Sequence, residues 1–474
     1  GIMLEVIAKH YFLAAPEFDG LLENVWYYDE IPADIKNSHN LPTVEYGMDL
    51  LLQKKNGELV AVQCKYKTDQ TKKISWSGDK AGNMFGFMMD ADGYIMFTNA
   101  TDVDEVTKTR VAYEKFALYC NDHLYQADET VYKNMRKLLM GKSVTKKTIW
   151  PPRVYQQRAI YALKKAFEED NKKRAKLILP CGSGKTLTSL WIKESLEPNL
   201  TLVLVPSLAL LRQIKDEWVK SRKDYFYHLC VCSEKGIDKN TIDSIFQDEY
   251  MMGLNATTKT EDVVDFINSK EEPKIIFSTY QSIDAIISAS SKAKVTFDLV
   301  VCDEAHKSAG ASDSDFTKVH SDILLPADKR LYMTATPRVI SPQQKGKYKG
   351  EDLYCMDDPT VFGETEYELT FADGINGGDG FDPFLTEYKI MVVGVDDEEL
   401  AEYAVNRNYI DKDTSFDEIA NNYALHKIMK QYGIKHPLTF HSRVDYADQF
   451  AQRNKQISEV PAFTVNGEQS THER

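Results

Sequence analysis

The sequence lacks the features that would place it outside a cell or across a membrane. No apolar run approaches the length of a bilayer span, and no secretory signal opens the chain. Its seven cysteines (64, 120, 181, 230, 232, 302 and 355) show no paired CxxC spacing. Several sit inside apolar strand-like runs, which points to reduced thiols in a cytoplasm rather than to disulfides or zinc. An excess of basic charge is also missing. The net charge of −14 argues against a surface that coats nucleic acid everywhere. It leaves room for a local basic groove, because footprints follow the distribution of charge rather than its total. What is present is core material: 43% hydrophobic and 11% aromatic residues exclude wholesale disorder. A length of 474 residues predicts about three domains. Gly1 and Arg474 each fall inside an amphipathic pattern, so the sequence reads as a piece of something longer.

Ala175–Ser189, AKLILPCGSGKTLTS, organises the rest. A short apolar strand runs into the tight loop Pro180–Gly184, and Lys185-Thr186 open a helix. This is the layout of a phosphate-binding loop. Gly182, Ser183 and Gly184 let backbone N–H groups wrap an anion, Lys185 reaches the β- and γ-phosphates, and Thr186 ligates Mg²⁺. The strict pattern wants Gly or Ala where Leu179 stands, and a glycine-bearing helix cap is the bland alternative.

The residues after the loop favour the nucleotide reading. Apolar strands at 202–205, 274–279 and 298–302 alternate with helical stretches, which predicts a parallel sheet with ligands at its carboxyl end. Asp303-Glu304-Ala305-His306 ends one strand, placing Asp303 to share Mg²⁺ with Thr186 and Glu304 to activate water. His306 is placed toward the γ-phosphate, and Thr334-Ala-Thr-Pro337 ends a further strand in hydroxyls. Upstream, the Gln156 amide offers a donor and an acceptor to an adenine edge. With Val205-Pro-Ser207 and Thr279-Tyr-Gln-Ser282, these motifs resemble the superfamily two helicases. That resemblance implies contacts of Ser207 and Thr279 with the nucleic-acid backbone.

The first 110 residues predict different chemistry. Met3, Leu4, Ile7, Ala8, Tyr11 and Phe12 recur at helical spacing and carry Glu5. Asn24–Tyr28 is strand-like, and Asp49 leads into an apolar strand. A hairpin turn follows at Lys55-Asn-Gly57, and the partner strand carries Gln63 and Lys65 on one face. Phosphodiester hydrolysis needs Mg²⁺ on oxygen ligands and a lysine to position or deprotonate water. Asp49 and Gln63 supply the oxygens, Lys65 the cation, and Glu5 is a further candidate ligand. An ordinary amphipathic hairpin is the alternative. Gly47-Met-Asp49 with Gln63-Cys-Lys65 resembles the Mrr-type branch of the PD-(D/E)xK nucleases.

Residues 111–150 read as a connector, with a helix over Val111–Tyr119 and a lysine-bearing linker at 141–148. Residues 151–372 form a RecA-like ATPase domain. The run Gly374–Gly380 reads as a flexible break, and 373–474 as part of a second RecA-like domain. In that part, strands are expected at Tyr388–Val395 and Leu438–Arg443, a helix at Ile419–Tyr432, and a further segment at 463–474. The stretch carrying an arginine finger is expected beyond Arg474. The fold class is therefore α/β, a PD-(D/E)xK nuclease followed by RecA-like parallel-sheet domains, the second incomplete.

A nuclease preceding a DEAH motor, with Met356–Gly363 after the Thr-Ala-Thr-Pro motif, resembles the single-polypeptide type I (type ISP) restriction-modification enzymes. The resemblance implies ATP and Mg²⁺ as cofactors, double-stranded DNA as partner, translocation, and a methyltransferase with a target-recognition domain further along the polypeptide. Two rivals stay open: a stand-alone helicase–nuclease of repair or phage defence, and a DNA-binding remodeller whose nuclease fold is inactive.

Overall fold

The computed structural model describes the chain except residues 46, 112–115, 145–149, 232–255, 258, 312–313, 340–352, 397, 402–415, 458–461 and 466–474. Residues 145–148 of the lysine-bearing run and 466–474 of the last segment thus lie outside the described residues. Two compact units emerge, Gly1–Leu385 and Thr386–Arg474.

The first unit contains two sheets. One has five strands in sequence order: β1 (Leu22–Tyr27), β2 (Leu50–Lys54), β3 (Leu59–Lys65), β4 (Gly93–Thr98) and β5 (Phe116–Tyr119). The first three pair antiparallel, and β3, β4 and β5 run parallel. Gly57, at φ +93°, makes the turn that joins β2 to β3, which backbone of that sign favours. Side chains alternate across β3. Leu59 and Ala61 enter one core with Met48, Met84 and Met96, while Val60, Val62 and Cys64 enter the other with Leu4, Ala8 and Phe12. Burial on both faces explains why these strands read as continuous apolar runs.

The helix expected over Val111–Tyr119 is replaced at its end by β5. Phe116 and Leu118 face one core while Ala117 and Tyr119 face the other, a period of two. An apolar run that short fits either element by pattern alone. Beyond it, the helix Glu129–Leu139 buries Val131 and Met135 in the same core as the Glu5 helix. Asp128 caps it by accepting from Thr130 N at 2.8 Å. Phe116–Leu139 is thus part of the sheet domain, not a connector.

The second sheet has eight parallel strands in the order β15-β6-β13-β11-β7-β10-β8-β9. They are β6 (Arg174–Ile178), β7 (Leu200–Val205), β8 (Tyr227–Val231), β9 (Ala256–Thr257), β10 (Lys274–Thr279), β11 (Phe297–Cys302), β13 (Ala327–Thr334) and β15 (Glu364–Glu368). A separate antiparallel pair joins β12 (Gly310–Ala311) to β14 (Leu353–Tyr354). The order jumps outward from β11 to both sides, so the carboxyl ends of β6, β7, β11 and β13 converge where the phosphate loop begins.

Gly374–Gly380 is not a flexible break. Phe371–Asn376 is a short helix capped by Thr370, and Gly378 and Phe381 form a β-bridge behind it. Gly374 O accepts N–H bonds from Phe384 and Leu385, both at 2.9 Å, which folds the segment back on itself. The compact unit therefore ends after Leu385 rather than near residue 372.

In the second unit, helices span Phe416–Tyr432 and Val444–Ile457. The strands expected at Tyr388–Val395 and Leu438–Arg443 do not form. Both stretches lack regular structure, with Val392 95% and Phe440 89% exposed. A strand needs a neighbour to satisfy its backbone, and none is present there among the described residues. No helix among the described residues is long and apolar enough to cross a membrane.

Candidate functional sites

The motor-sheet site starts at β6. Leu179, the departure from the strict loop pattern, is fully buried and donates its N–H to Thr334 O at 3.1 Å. It extends the strand by one residue, and the core selects a large apolar side chain there. Gly182 (φ +81°) and Gly184 (φ +79°) then turn the chain into the helix Lys185–Leu196. A Cβ on Gly184 would lie 2.8 Å from Gln156 Nε2, so both backbone angle and space require glycine.

Gln156 donates to Ser183 O at 3.1 Å and accepts from Arg153 N at 2.8 Å. Tyr155 OH donates to the same Ser183 carbonyl at 2.8 Å. Gln156 thus braces the loop with one donor and one acceptor, leaving the other N–H and lone pair. The sequence pointed to Gln156 but not to Tyr155. Trp218 was also missed: its indole donates to Thr186 O at 3.0 Å, and its signal is the apolar stripe Leu211, Ile214, Trp218.

At the end of β11, Asp303 is buried, and its Oδ1 has no hydrogen-bond partner among the described residues. Burial, then the charge of Glu304, pushes its carboxyl up to about 6. Glu304 adopts the left-handed conformation at φ +46°. Its Oε1 lies 3.6 Å from Lys185 Nζ and its Oε2 3.2 Å from His306 Nδ1. That nitrogen also lies 3.0 Å from Thr334 Oγ1, joining the DEAH turn to the Thr-Ala-Thr-Pro strand. Burial holds the His306 pKa below the usual imidazole value. Ser207 caps the helix Leu208–Ser221, whereas the Thr279 hydroxyl is buried against Ser282 at 2.8 Å.

The second site lies at the carboxyl end of β3. Asp49 accepts a short hydrogen bond from Cys64 N, which sets its carboxylate beside the strand between Gln63 and Lys65. Burial pushes its carboxyl up to about 7; the Cys64 N–H and Lys65 oppose the rise, and a hydrogen bond in which protonated Asp49 donates to the Glu45 carboxylate adds to it. Glu5 is also raised, first by burial and then by the charge of Asp49. Glu45 was missed by the sequence reading; no motif marks it. Gln63 is fully buried, donates to Gly47 O at 2.9 Å, and leaves Oε1 without a partner among the described residues. Gly47, at φ +106°, has no room for a Cβ, which would lie 2.7 Å from Asn83. The Lys65 carbonyl accepts from Thr98 Oγ1 at 2.6 Å, while its side chain makes no hydrogen bond or ion pair among the described residues.

The structure thus brings Glu5, Asp49, Gln63 and Lys65 into one site, and Gln156, the loop, Asp303, Glu304 and His306 into another. Among the described residues there is no group of three or more His, Cys, Asp or Glu that could hold a metal. A site for Mg²⁺ would draw instead on mixed oxygen donors. The unpartnered Gln63 Oε1, in the site of the raised Asp49, and the unpartnered Oδ1 of Asp303, itself raised, fit a hard cation of that kind.

Fold and sites together define a restriction-endonuclease-type domain followed by a helicase-type ATPase domain in one chain. Comparison with known proteins agrees. Residues 13–78 match the restriction endonuclease family, and residues 149–339 match the family described as type III restriction enzyme, res subunit. The fold is similar to that of the ATP-dependent type ISP restriction-modification enzyme LlaBIII bound to DNA. That match has a TM-score of 0.71 and 24% identity, and it covers 96% of this chain and 30% of that one. A nuclease-deletion mutant of the type ISP enzyme LlaGI is 29% identical over 61% of this chain and 24% of its own, at a TM-score of 0.41. The probable helicase A859L of African swine fever virus is 26% identical over 226 residues, 46% of this chain and 22% of the viral protein. The chain therefore spans under a third of the length of these relatives.

Proposed function

We propose that this chain is the nuclease and motor portion of an ATP-dependent restriction enzyme acting on double-stranded DNA in the bacterial cytoplasm. The observation that carries the proposal is the grouping of Lys185, Glu304 and the unpartnered Asp303 at the mouth of the glycine loop. A lysine held by a carboxylate 3.6 Å away can be exchanged onto a phosphate. The exchange frees Glu304 to orient and deprotonate the attacking water. Loop N–H groups and the helix N-terminus take the phosphate charge. Thr186 and Asp303 would hold Mg²⁺, which supplies charge neutralisation between the phosphates when bound. His306, linked to Glu304 and Thr334, passes the state of that turn to the next strand end.

In the nuclease domain, Asp49 and Gln63, with Glu5, would hold the second Mg²⁺, and Lys65 positions or deprotonates the water that attacks phosphorus. The raised carboxyls of Asp49 and Glu5 support this, because neighbouring acids that repel each other are stabilised by a cation. Translocation on duplex DNA and a methyltransferase elsewhere in the full polypeptide complete the proposal; both rest on the likeness to type ISP enzymes. The test is Mg·ATP binding by the Lys185→Ala variant. Loss of binding with an unchanged fold supports the motor site, and binding at the parental affinity contradicts it.

A further inference from the structure

The Lys65 side chain makes no hydrogen bond or ion pair of its own among the described residues, so its placement depends on the backbone that carries it. That backbone lies at a thinly supported end of β3. On the β2 side the ladder stops where Leu50 pairs with Val62. Beyond it come only the bond from Asp49 N to Val62 O, at 2.8 Å, and the Cys64 N–H on the Asp49 carboxylate. On the other side, β3 pairs with β4 as far as Lys65 opposite Thr98. There both strands end.

The end of β4 supplies what the ladder no longer does. Thr98 Oγ1 donates to Lys65 O at 2.6 Å and accepts from Ala100 N at 3.0 Å. The Asn99 amide then acts as a strand neighbour for Lys67. Its Oδ1 accepts the Lys67 N–H and its Nδ2 donates to Lys67 O, both at 2.7 Å. Thr98 and Asn99 are buried, where a bond left unmade is costly. Three side-chain bonds therefore fix the backbone on either side of Tyr66, and with it the direction in which Lys65 leaves the strand. Lys67 is no substitute cation, because its Nζ is paired with Asp79 at 2.7 Å.

We propose that Thr98 and Asn99 are positioning residues for Lys65, clamping the end of β3 so that the ammonium meets the water and phosphate beside Asp49 and Gln63. The proposal rests on the nuclease reading of that site and adds to it two residues of the neighbouring strand end. Asp49 and Gln63 are held by other bonds, from Cys64 N and to Gly47 O. Metal binding and lysine placement are then separable.

The experiment measures Mg²⁺-dependent plasmid nicking, at high enzyme excess, and Mn²⁺ binding on the whole chain. Asn99→Ala and Thr98→Val should each lower the nicking rate roughly 100-fold, the scale for displacing a catalytic group by about an ångström. Both should keep Mn²⁺ affinity within about twofold. Thr98→Ser keeps the hydroxyl and should return most of the rate. Added to Lys65→Ala, Asn99→Ala should remove nothing further, because a residue that acts through Lys65 has nothing left to place. Parental nicking by Asn99→Ala and Thr98→Val overturns the proposal. So does a further loss in the double variant, or Mn²⁺ affinity that falls in step with the rate, since either makes the clamp a support for the whole site. A parental chain that does not nick, or a Lys65→Ala variant that nicks at the parental rate, overturns the nuclease reading itself.

Discussion

The two sites hold their acids by different means. In the motor sheet, geometry is imposed by backbone: two glycines at positive φ, a left-handed Glu304 and strand ends that must converge. In the nuclease sheet, geometry comes from side-chain and backbone hydrogen bonds, Cys64 N to Asp49 and Gln63 to Gly47 O. The difference shows in the charges. Burial raises both acids first; Glu304 then raises Asp303 against Lys185, and Glu45 raises Asp49 against the Cys64 N–H and Lys65. Each acid has one lysine opposing it, and the nuclease acid rises further, to about 7 against about 6.

The comparison predicts effects of different size. The largest belongs to the nuclease. Lys65→Ala or Asp49→Ala should lower Mg²⁺-dependent plasmid cleavage roughly 10²–10⁴-fold, the range for losing a positioned acid–base group. Agarose-gel nicking assays check this, and parental cleavage by both variants would leave the cluster as an ordinary hairpin. Next comes Lys185→Ala, expected to lower ATP turnover roughly 10²–10³-fold, as losing one electrostatic contact to the reacting phosphate does. Nuclease metal binding, followed by Mn²⁺ titration, should be unaffected by it, since the sites share no ligand.

A smaller effect is expected for Gly184→Ala. The left-handed backbone alone costs about 1–2 kcal/mol for an L-residue, and the new Cβ presses on the Gln156 amide. Thermal melting should register that loss together with weaker ATP binding. Gly57→Ala, with nothing within 4 Å, should show the backbone part alone.

The smallest effect concerns His320, buried among Ser308, Tyr332 and two arginines. Burial is the first cause that lowers its pKa to about 4. The folded state refuses a proton that the unfolded chain accepts near 6.5. Its contribution is therefore complete above that value and is lost as pH falls toward 4. Between pH 7 and 5.5 this should remove about 1 kcal/mol from stability. Melting curves of the parent and of His320→Gln at both pH values isolate it; equal pH dependence in the two would remove His320 from the account.

The same contrast explains what the sequence made legible. The glycine loop, DEAH and strand-end threonines were readable because backbone geometry leaves a fixed spacing of residue types. Tyr155 and Glu45 were not, since each acts through one hydrogen bond set by tertiary packing and has no spacing of its own; the stripe of Trp218 marks it as core but not its bond to Thr186 O. Phe116–Tyr119 was misread because four apolar residues carry no period. Gly374–Gly380 looked like a break because glycine marks both flexible links and tight turns; only the cramped Gly377 and Gly378 decide between them.

The central claim is that one chain carries two chemically independent sites. The most direct measurement compares Asp49→Ala and Lys185→Ala side by side for Mg·ATP binding. The account predicts parental affinity for Asp49→Ala and loss of binding for Lys185→Ala. Loss of nucleotide binding in both variants, or in neither, would contradict it.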